Sequence, residues 1–138
     1  MRQRFRPRKK VAVYKLARLT LRDVLMQSAA DYADRPALGT VDGSTVLNYR
    51  DVASLSAAFA RQLVEAGLQK GDRVVVLSEN RPEWGVAYMG ATAAGFVIVP
   101  ILTDFIPEQV GNIIAHSEAK AVVVSDKLSP RSARTRAS

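Results

Sequence analysis

The stretch Gly71-Asp-Arg-Val-Val-Val-Leu-Ser-Glu-Asn-Arg-Pro-Glu-Trp84 decides the fold. Gly71-Asp72 punctuates its entry, and Arg73 to Leu77 is a β-branched apolar run of strand length. Asn80 and Pro82 suit the opening of a helix: Asn as cap or pre-cap, Pro in the first turn, Glu83 near the positive end of the helix dipole. A strand this continuously apolar needs cover on both faces, as in a parallel sheet flanked by helices.

Downstream the pattern repeats in kind. Trp84 to Ala94 reads as an apolar helix, Phe96 to Val99 as a short strand stopped by Pro100, and Pro107 opens a helix with Val110, Ile113 and Ile114 on its apolar face. Ala121 to Ser125 is a third buried strand. Strand, helix, strand, helix, strand with short crossovers predicts a right-handed parallel βαβαβ unit, and the fold class is α/β.

Upstream, Thr20-Leu-Arg-Asp23 is a capping-box variant, with Leu19 and Val24 at the hydrophobic-staple positions. Leu21, Val24, Leu25, Ser28 and Tyr32 follow at helical spacing, so a helix to about Ala33 is expected before Asp34-Arg-Pro36 ends it. Ala37 to Val41, Asp42-Gly43, then Thr45 to Leu47 reads as a β-hairpin with a tight turn at Asp-Gly. Asn48-Tyr-Arg-Asp51 repeats the capping-box logic, Leu47 and Val52 being its staple positions, and Val52, Leu55, Phe59 and Leu63 mark one face of a helix that stops near Gly67. The expected whole is a partial parallel sheet with flanking helices, preceded by a helix and a hairpin.

Length and charge set the bounds. The 138 residues leave room for one domain, and 48% hydrophobic residues argue for a packed core. The absence of Cys excludes disulfides and thiolate metal sites and leaves a cytosolic setting unopposed. The net charge of +7 is an uneven sum. Residues 1–22 hold nine Lys/Arg and no acid, and residues 127–138 hold four and no acid. That leaves seven Lys/Arg against all 13 acids between 23 and 126, a net of −6. An acidic body with basic ends lacks the cationic face of a nucleic-acid binder, so no nucleic-acid partner is expected.

The matching residues on both sides of the central stretch resemble the adenylate-forming (AMP-binding) ligase superfamily, closest to the AMP-forming long-chain fatty acid–CoA ligases. Those enzymes carry a similar Gly-Asp-Arg-Val strand followed by Asn-Arg-Pro-Glu-Trp. The likeness runs from about Leu19 to about Asp126 and covers only the family's N-terminal portion. Family members place Thr-Tyr where Asn48-Tyr49 stands, a mild change because both Thr and Asn cap helices. The resemblance implies ATP-dependent formation of an acyl-adenylate, then transfer to coenzyme A, with a fatty acid as substrate and Mg²⁺ as metal. It also implies that activity resides elsewhere: in a Ser/Thr/Gly-rich phosphate loop ending in Gly-Lys, a later aromatic-Gly-Thr-Glu segment, and a Lys of a C-terminal domain. None has a counterpart here, so no catalytic, cofactor-binding or metal residue is assigned to this chain.

The residues themselves agree. Gly90-Ala-Thr-Ala-Ala-Gly95 matches the first positions of a P-loop, but Phe96-Val97 stand where Lys and Ser/Thr are required. The run also precedes a strand where a P-loop follows one, so its glycines read as packing and helix-stop residues. His116 has no second His and no Cys to form a metal site or triad. Ser78, Ser117 and Ser125 lack a nucleophile elbow. Glu79, Glu83, Glu108 and Glu118 read as first-turn or surface charges, and Trp84 as a packing anchor in preference to a substrate platform.

Three segments follow: a basic extension (1–18), the incomplete ligase portion (19–126), and a basic tail (127–138) that does not resemble the family. For Met1–Lys10 the readings are a solvated extension, a contact with anionic lipid headgroups at a cytoplasmic membrane surface, or an Arg-rich transit peptide. Val11–Leu19 reads as either a short strand or a helical turn. A truncation or frame change after Asp126 is the favoured account of the tail. Such a partial sheet would leave an open edge, inviting marginal stability or self-association. The alternative to a ligase fragment is a non-enzymatic module that docks on anionic membrane or complements a separately encoded remainder.

Overall fold

The computed structural model describes residues 16–129. Met1–Lys10, most of Val11–Leu19 and the tail from Pro130 lie outside the described residues.

Helix α1 (Leu21–Asp31) opens as expected, the Thr20 hydroxyl accepting from the Asp23 amide at 3.1 Å, and ends two residues short of Ala33. Only half the capping box forms. The Thr20 amide already donates to the Arg18 carbonyl at 2.9 Å, and the Asp23 carboxylate faces Arg18 at 3.5 Å. The Leu19–Val24 staple is not made either: Leu19 is 96% exposed.

Strands β1 (Pro36–Gly39) and β2 (Val46–Asn48) pair antiparallel. Their turn is longer than the expected Asp-Gly pair. The strands stop at Gly39 and resume at Val46, and the Thr40 amide donates to the Thr45 carbonyl at 2.9 Å. Gly43 alone takes a positive φ (72°), while Asp42 uses its side chain, accepting from the Ser44 amide at 3.0 Å. Hydrogen bonds from Thr40 and Ser44 hold the Asp42 carboxyl at about 2. A backbone turn remains, the Gly43 amide donating to the Thr40 carbonyl at 3.0 Å, and the Asp42 side chain adds a second turn beside it.

Helix α2 (Tyr49–Glu65) begins with a complete capping box: the Asp51 amide donates to Asn48 at 2.8 Å and the Asn48 amide to Asp51 at 3.1 Å. Its buried face differs from the expected one in one residue. Leu55 is exposed, and Ser56 is buried instead, donating its hydroxyl to the Val86 carbonyl at 3.2 Å. The reason lies opposite, on α3.

Strand β3 (Arg73–Leu77), α3 (Pro82–Ala93), β4 (Val97–Ile101), α4 (Pro107–Ser117) and β5 (Ala121–Val124) form the expected alternation. The strands are parallel in the order β4–β3–β5, with Val75 opposite Val99 and Val122. With right-handed crossovers this order puts α3 and α4 on opposite faces. Pro100 does not stop β4, which continues to Ile101. The Val97 amide donates to the Asp72 carbonyl at 2.9 Å, so by alternation the nitrogen of Pro100 lies on the outer side, where the ladder asks for no donor.

Two glycine-terminated helices build the core. In α2, the Leu68 amide bonds the Leu63 carbonyl at 3.1 Å and the Gly67 amide the Val64 carbonyl at 2.9 Å. In α3, the Phe96 amide bonds the Ala91 carbonyl at 2.9 Å and the Gly95 amide the Thr92 carbonyl at 3.1 Å. Both are Schellman motifs, with Gly67 and Gly95 at φ of 90° and 86°. Each motif brings a pair of apolar residues together, and those two pairs, with Val74, make up the buried cluster: Leu63, Leu68, Ala91, Phe96.

Candidate functional site

The carboxyl ends of β3 and β5 and the first turn of α3 meet at one place. In open parallel sheets this is the side on which ligands bind. Four polar groups converge there, Ser125 from beyond β5 and Glu79, Arg81 and Glu83 from the segment that follows β3. Ser125, one residue beyond β5 and buried, donates its hydroxyl to the Glu79 carboxylate at 2.5 Å. Arg81 reaches back to Glu79 at 3.8 Å and forward to Glu83 at 2.8 Å. The Ser125 hydrogen bond, aided by its own backbone amide and by Arg81, lowers the pKa of Glu79 below the ordinary carboxylate value. The Arg81 hydrogen bond does the same for Glu83. A cavity of about 200 Å³ lies beside this cluster, with Val76, Ala87 and Trp84 among its walls.

On the other side of Trp84 lies a larger open groove of about 700 Å³ between α1, the hairpin, α2 and α3. Leu25, Leu38, Tyr49, Pro82 and Tyr88 line it. Trp84 stacks on Tyr88 with ring centroids 5.3 Å apart and so forms the ridge between the two cavities. Gly85 lets α3 approach the hairpin: a Cβ there would stand 2.7 Å from Leu38 Cδ1.

A family model described as AMP-binding enzyme matches residues 25–138. The chain belongs to the AMP-binding enzyme family. It is 35% identical over 106 residues to a long-chain-fatty-acid–CoA ligase of Escherichia coli O6:H1, a match covering 76% of this chain and 18% of that enzyme. It is 31% identical over 109 residues to a mitochondrial acyl-coenzyme A synthetase of Mus musculus, covering 76% and 19%. Among solved structures it is similar to a Mycobacterium tuberculosis fatty acyl CoA synthetase, with a TM-score of 0.76 and 28% identity over 86% of this chain and 24% of that one. The chain thus spans about a fifth of the length of the curated relatives it matches.

The Gly90–Gly95 run does not form a phosphate cradle. The amides of the Gly90–Gly95 run are engaged in ending α3: those of Ala94, Gly95 and Phe96 donate to Gly90, Thr92 and Ala91. Gly90 itself packs against α2, where a Cβ would meet the Ser56 carbonyl at 2.5 Å. No group of three His, Cys, Asp or Glu able to hold a metal occurs among the described residues.

The remaining singled-out residues are scattered. His116 is exposed in the last turn of α4, Ser117 bonds the Ile114 carbonyl at 3.0 Å, and Ser78 bonds the Glu79 carbonyl at 3.0 Å. Glu108 is exposed in the first turn of α4, and Glu118 ends that helix at φ 51°, paired with Arg73 at 2.6 Å. Glu79 is a partly exposed carboxylate that also ties the ends of β3 and β5 together through Ser125. Glu79 and Ser125 lie 46 residues apart, but they stand two residues beyond β3 and one residue beyond β5, two strands read as parallel, and that placement was the available signal.

Proposed function

We propose that this chain is the N-terminal portion of an ATP-dependent, AMP-forming fatty acid–CoA ligase and is inactive by itself. The complete enzyme takes a fatty acid, ATP with Mg²⁺, and coenzyme A. The observation that carries this reading is the similarity of the whole β3–β5 unit and its upstream helices to a fatty acyl CoA synthetase over 86% of the chain. The phosphate loop and catalytic segments of such ligases have no counterpart among these residues, so the chain's part is architectural. It supplies a sheet and a wall of the domain, with no step of the chemistry assigned to its side chains.

Two measurements test this. The purified chain, given ATP, Mg²⁺, coenzyme A and palmitate, is expected to release no pyrophosphate above a protein-free control; release would overturn its inactivity. Residues 19–126, exchanged for the matching portion of the Escherichia coli ligase, are expected to leave a chimera that forms acyl-CoA. A folded chimera without that activity would overturn the family-specific role.

A second reading is a non-enzymatic interaction module, favoured by apolar side chains left outside the core: Leu102, Ile106 and Val122 are all exposed. Its membrane form rests on Met1–Lys10. Vesicles rich in phosphatidylserine would then bind the full chain at low salt and not a chain lacking those ten residues. No helix among the described residues is long and apolar enough to cross a membrane.

A further inference from the structure

We propose that residues 11–15 of this chain, which lie outside the described residues, dock in the open groove beside Trp84 and add a third strand to the free edge of β1. The groove's walls and its occupant both fall between residues 11 and 89, and no ligase chemistry enters.

A backbone edge borders this groove. Residues 37–41, five in a row from β1 and its exit, line it, whereas no residue of β2 does. Successive side chains of a strand point to opposite faces, so a strand that shows both faces to one space is presenting its edge. Among the described residues β1 pairs with β2 alone. The Thr40 amide donates across to the Thr45 carbonyl at 2.9 Å, so by alternation the N–H and C=O of Gly39 turn away from β2. Opposite that edge stand apolar walls: Val24 and Leu25 of α1, and Pro82, Trp84 and Tyr88 of α3. Unpaired backbone groups facing an apolar wall are a template for one more strand.

Sequence, chain path and reach select the occupant. Val11-Ala-Val-Tyr14 is apolar on both faces of an extended strand, and it is set between the six Lys/Arg of residues 1–10 and Lys15. Such a run needs cover on both sides, which the groove supplies. Its Tyr14 hydroxyl needs a polar partner when buried, and Ser28 and Asn80 lie in the groove's lining. The chain also bends just before α1: the Thr20 amide donates to the Arg18 carbonyl at 2.9 Å, and the Arg18 guanidinium faces Asp23 at 3.5 Å. After four exposed residues, 17–20, burial resumes at Leu16, which is half-buried. The bend that deprives α1 of its full capping box thus returns the chain along the helix. Extended, residues 11–16 reach up to about 20 Å, against about 16 Å for the 11 residues of α1, so the segment spans that wall from end to end.

Trp84, the sole tryptophan, lines the groove and reports whether it is filled. Removing residues 1–10 is expected to leave its fluorescence unchanged. Removing residues 1–15 is expected to shift the emission to the red and to raise its quenching by acrylamide, and Val13→Asp in the full chain to do the same. Equal spectra for the two truncations would overturn the proposal. A spin label on Ala12→Cys, the sole thiol of that full chain, locates the segment directly. It is expected to broaden the amide resonances of residues 37–41 and of Gly85, and to leave those of α4 sharp. Broadening in α4 without broadening in β1 would overturn the docking site. Mixing the spin-labelled chain with an isotope-labelled parent is expected to leave the parent's resonances sharp. Broadening there would give the groove to a second copy and overturn the assignment to residues 11–15. Should the shorter chain lose its folded circular-dichroism spectrum, the spin-label series decides alone.

Discussion

The two layers on either side of the β4–β3–β5 sheet are built differently. On one side, α2 and α3 bury Val52, Ser56, Leu63, Val86, Ala87 and Ala91, and they cross closely because Gly90 leaves no Cβ between them and the Ser56 carbonyl. On the other side, α4 buries no residue: Val110, Ile113 and Ile114 face inward but are only half-covered. Both layers use a proline start, and both flank the same strands. The difference lies in the exits. Glycines end α2 and α3 in Schellman motifs that bring an apolar pair into the core, whereas α4 ends on Glu118 in a left-handed conformation that favours glycine, held by an exposed ion pair.

The largest test of that contrast is truncation of matched side chains. Leu63→Ala, within the glycine-capped cluster, is expected to cost about 2–5 kcal/mol. Ile113→Ala on α4 is expected to cost about 1 kcal/mol, since less area leaves contact. Denaturant unfolding measures both, and equal losses would erase the distinction between the layers.

Next in size are two helix-interior glycines with opposite surroundings. Gly90→Ala places a methyl 2.5 Å from a backbone oxygen and is expected to destabilise by about 1–3 kcal/mol. Gly111→Ala meets nothing within 4 Å and is expected to stabilise by about 0.5–1 kcal/mol through helix propensity. A stabilising Gly90→Ala would mean that the α2–α3 crossing gives way easily, contrary to its packing.

The smallest effect concerns the Glu79–Ser125 link between the ends of β3 and β5. Its hydrogen bond favours ionised Glu79, so the folded pKa lies below the unfolded one and the added stability is present at neutral pH. It is lost as the pH falls through the lowered pKa. Ser125→Ala is therefore expected to melt slightly below the parent at pH 7, the gap closing toward acid. A gap that stays constant from neutral to acid pH would assign the loss to packing instead.

Much of this was legible in the chain. Apolar runs of strand length, Pro at two helix starts and Gly at two helix stops placed the βαβαβ unit, because those signals are local consequences of backbone sterics and orphan hydrogen bonds. The readings that failed depended on neighbours. Thr20 and Asp23 suit a capping box, yet the Arg18 carbonyl had already taken the amide that the box requires. Leu55 fits the helical spacing of a buried face, yet the close approach of Gly90 turned Ser56 inward. Pro100 looked like a strand stop, and only the alternation of the ladder showed that its missing N–H points away from β3.

By itself, then, the sequence determined the alternation of strands and helices, the parallel class of the sheet and the family to which its motif belongs. These follow from periodicity and turn chemistry that each residue carries wherever it is placed. The tertiary structure alone decided that Glu79 meets Ser125, that Trp84 divides two cavities, and that the nitrogen of Pro100 lies on the outer side of its strand. Each of those depends on which strand lies beside which, and strand order is set by crossover packing between segments dozens of residues apart.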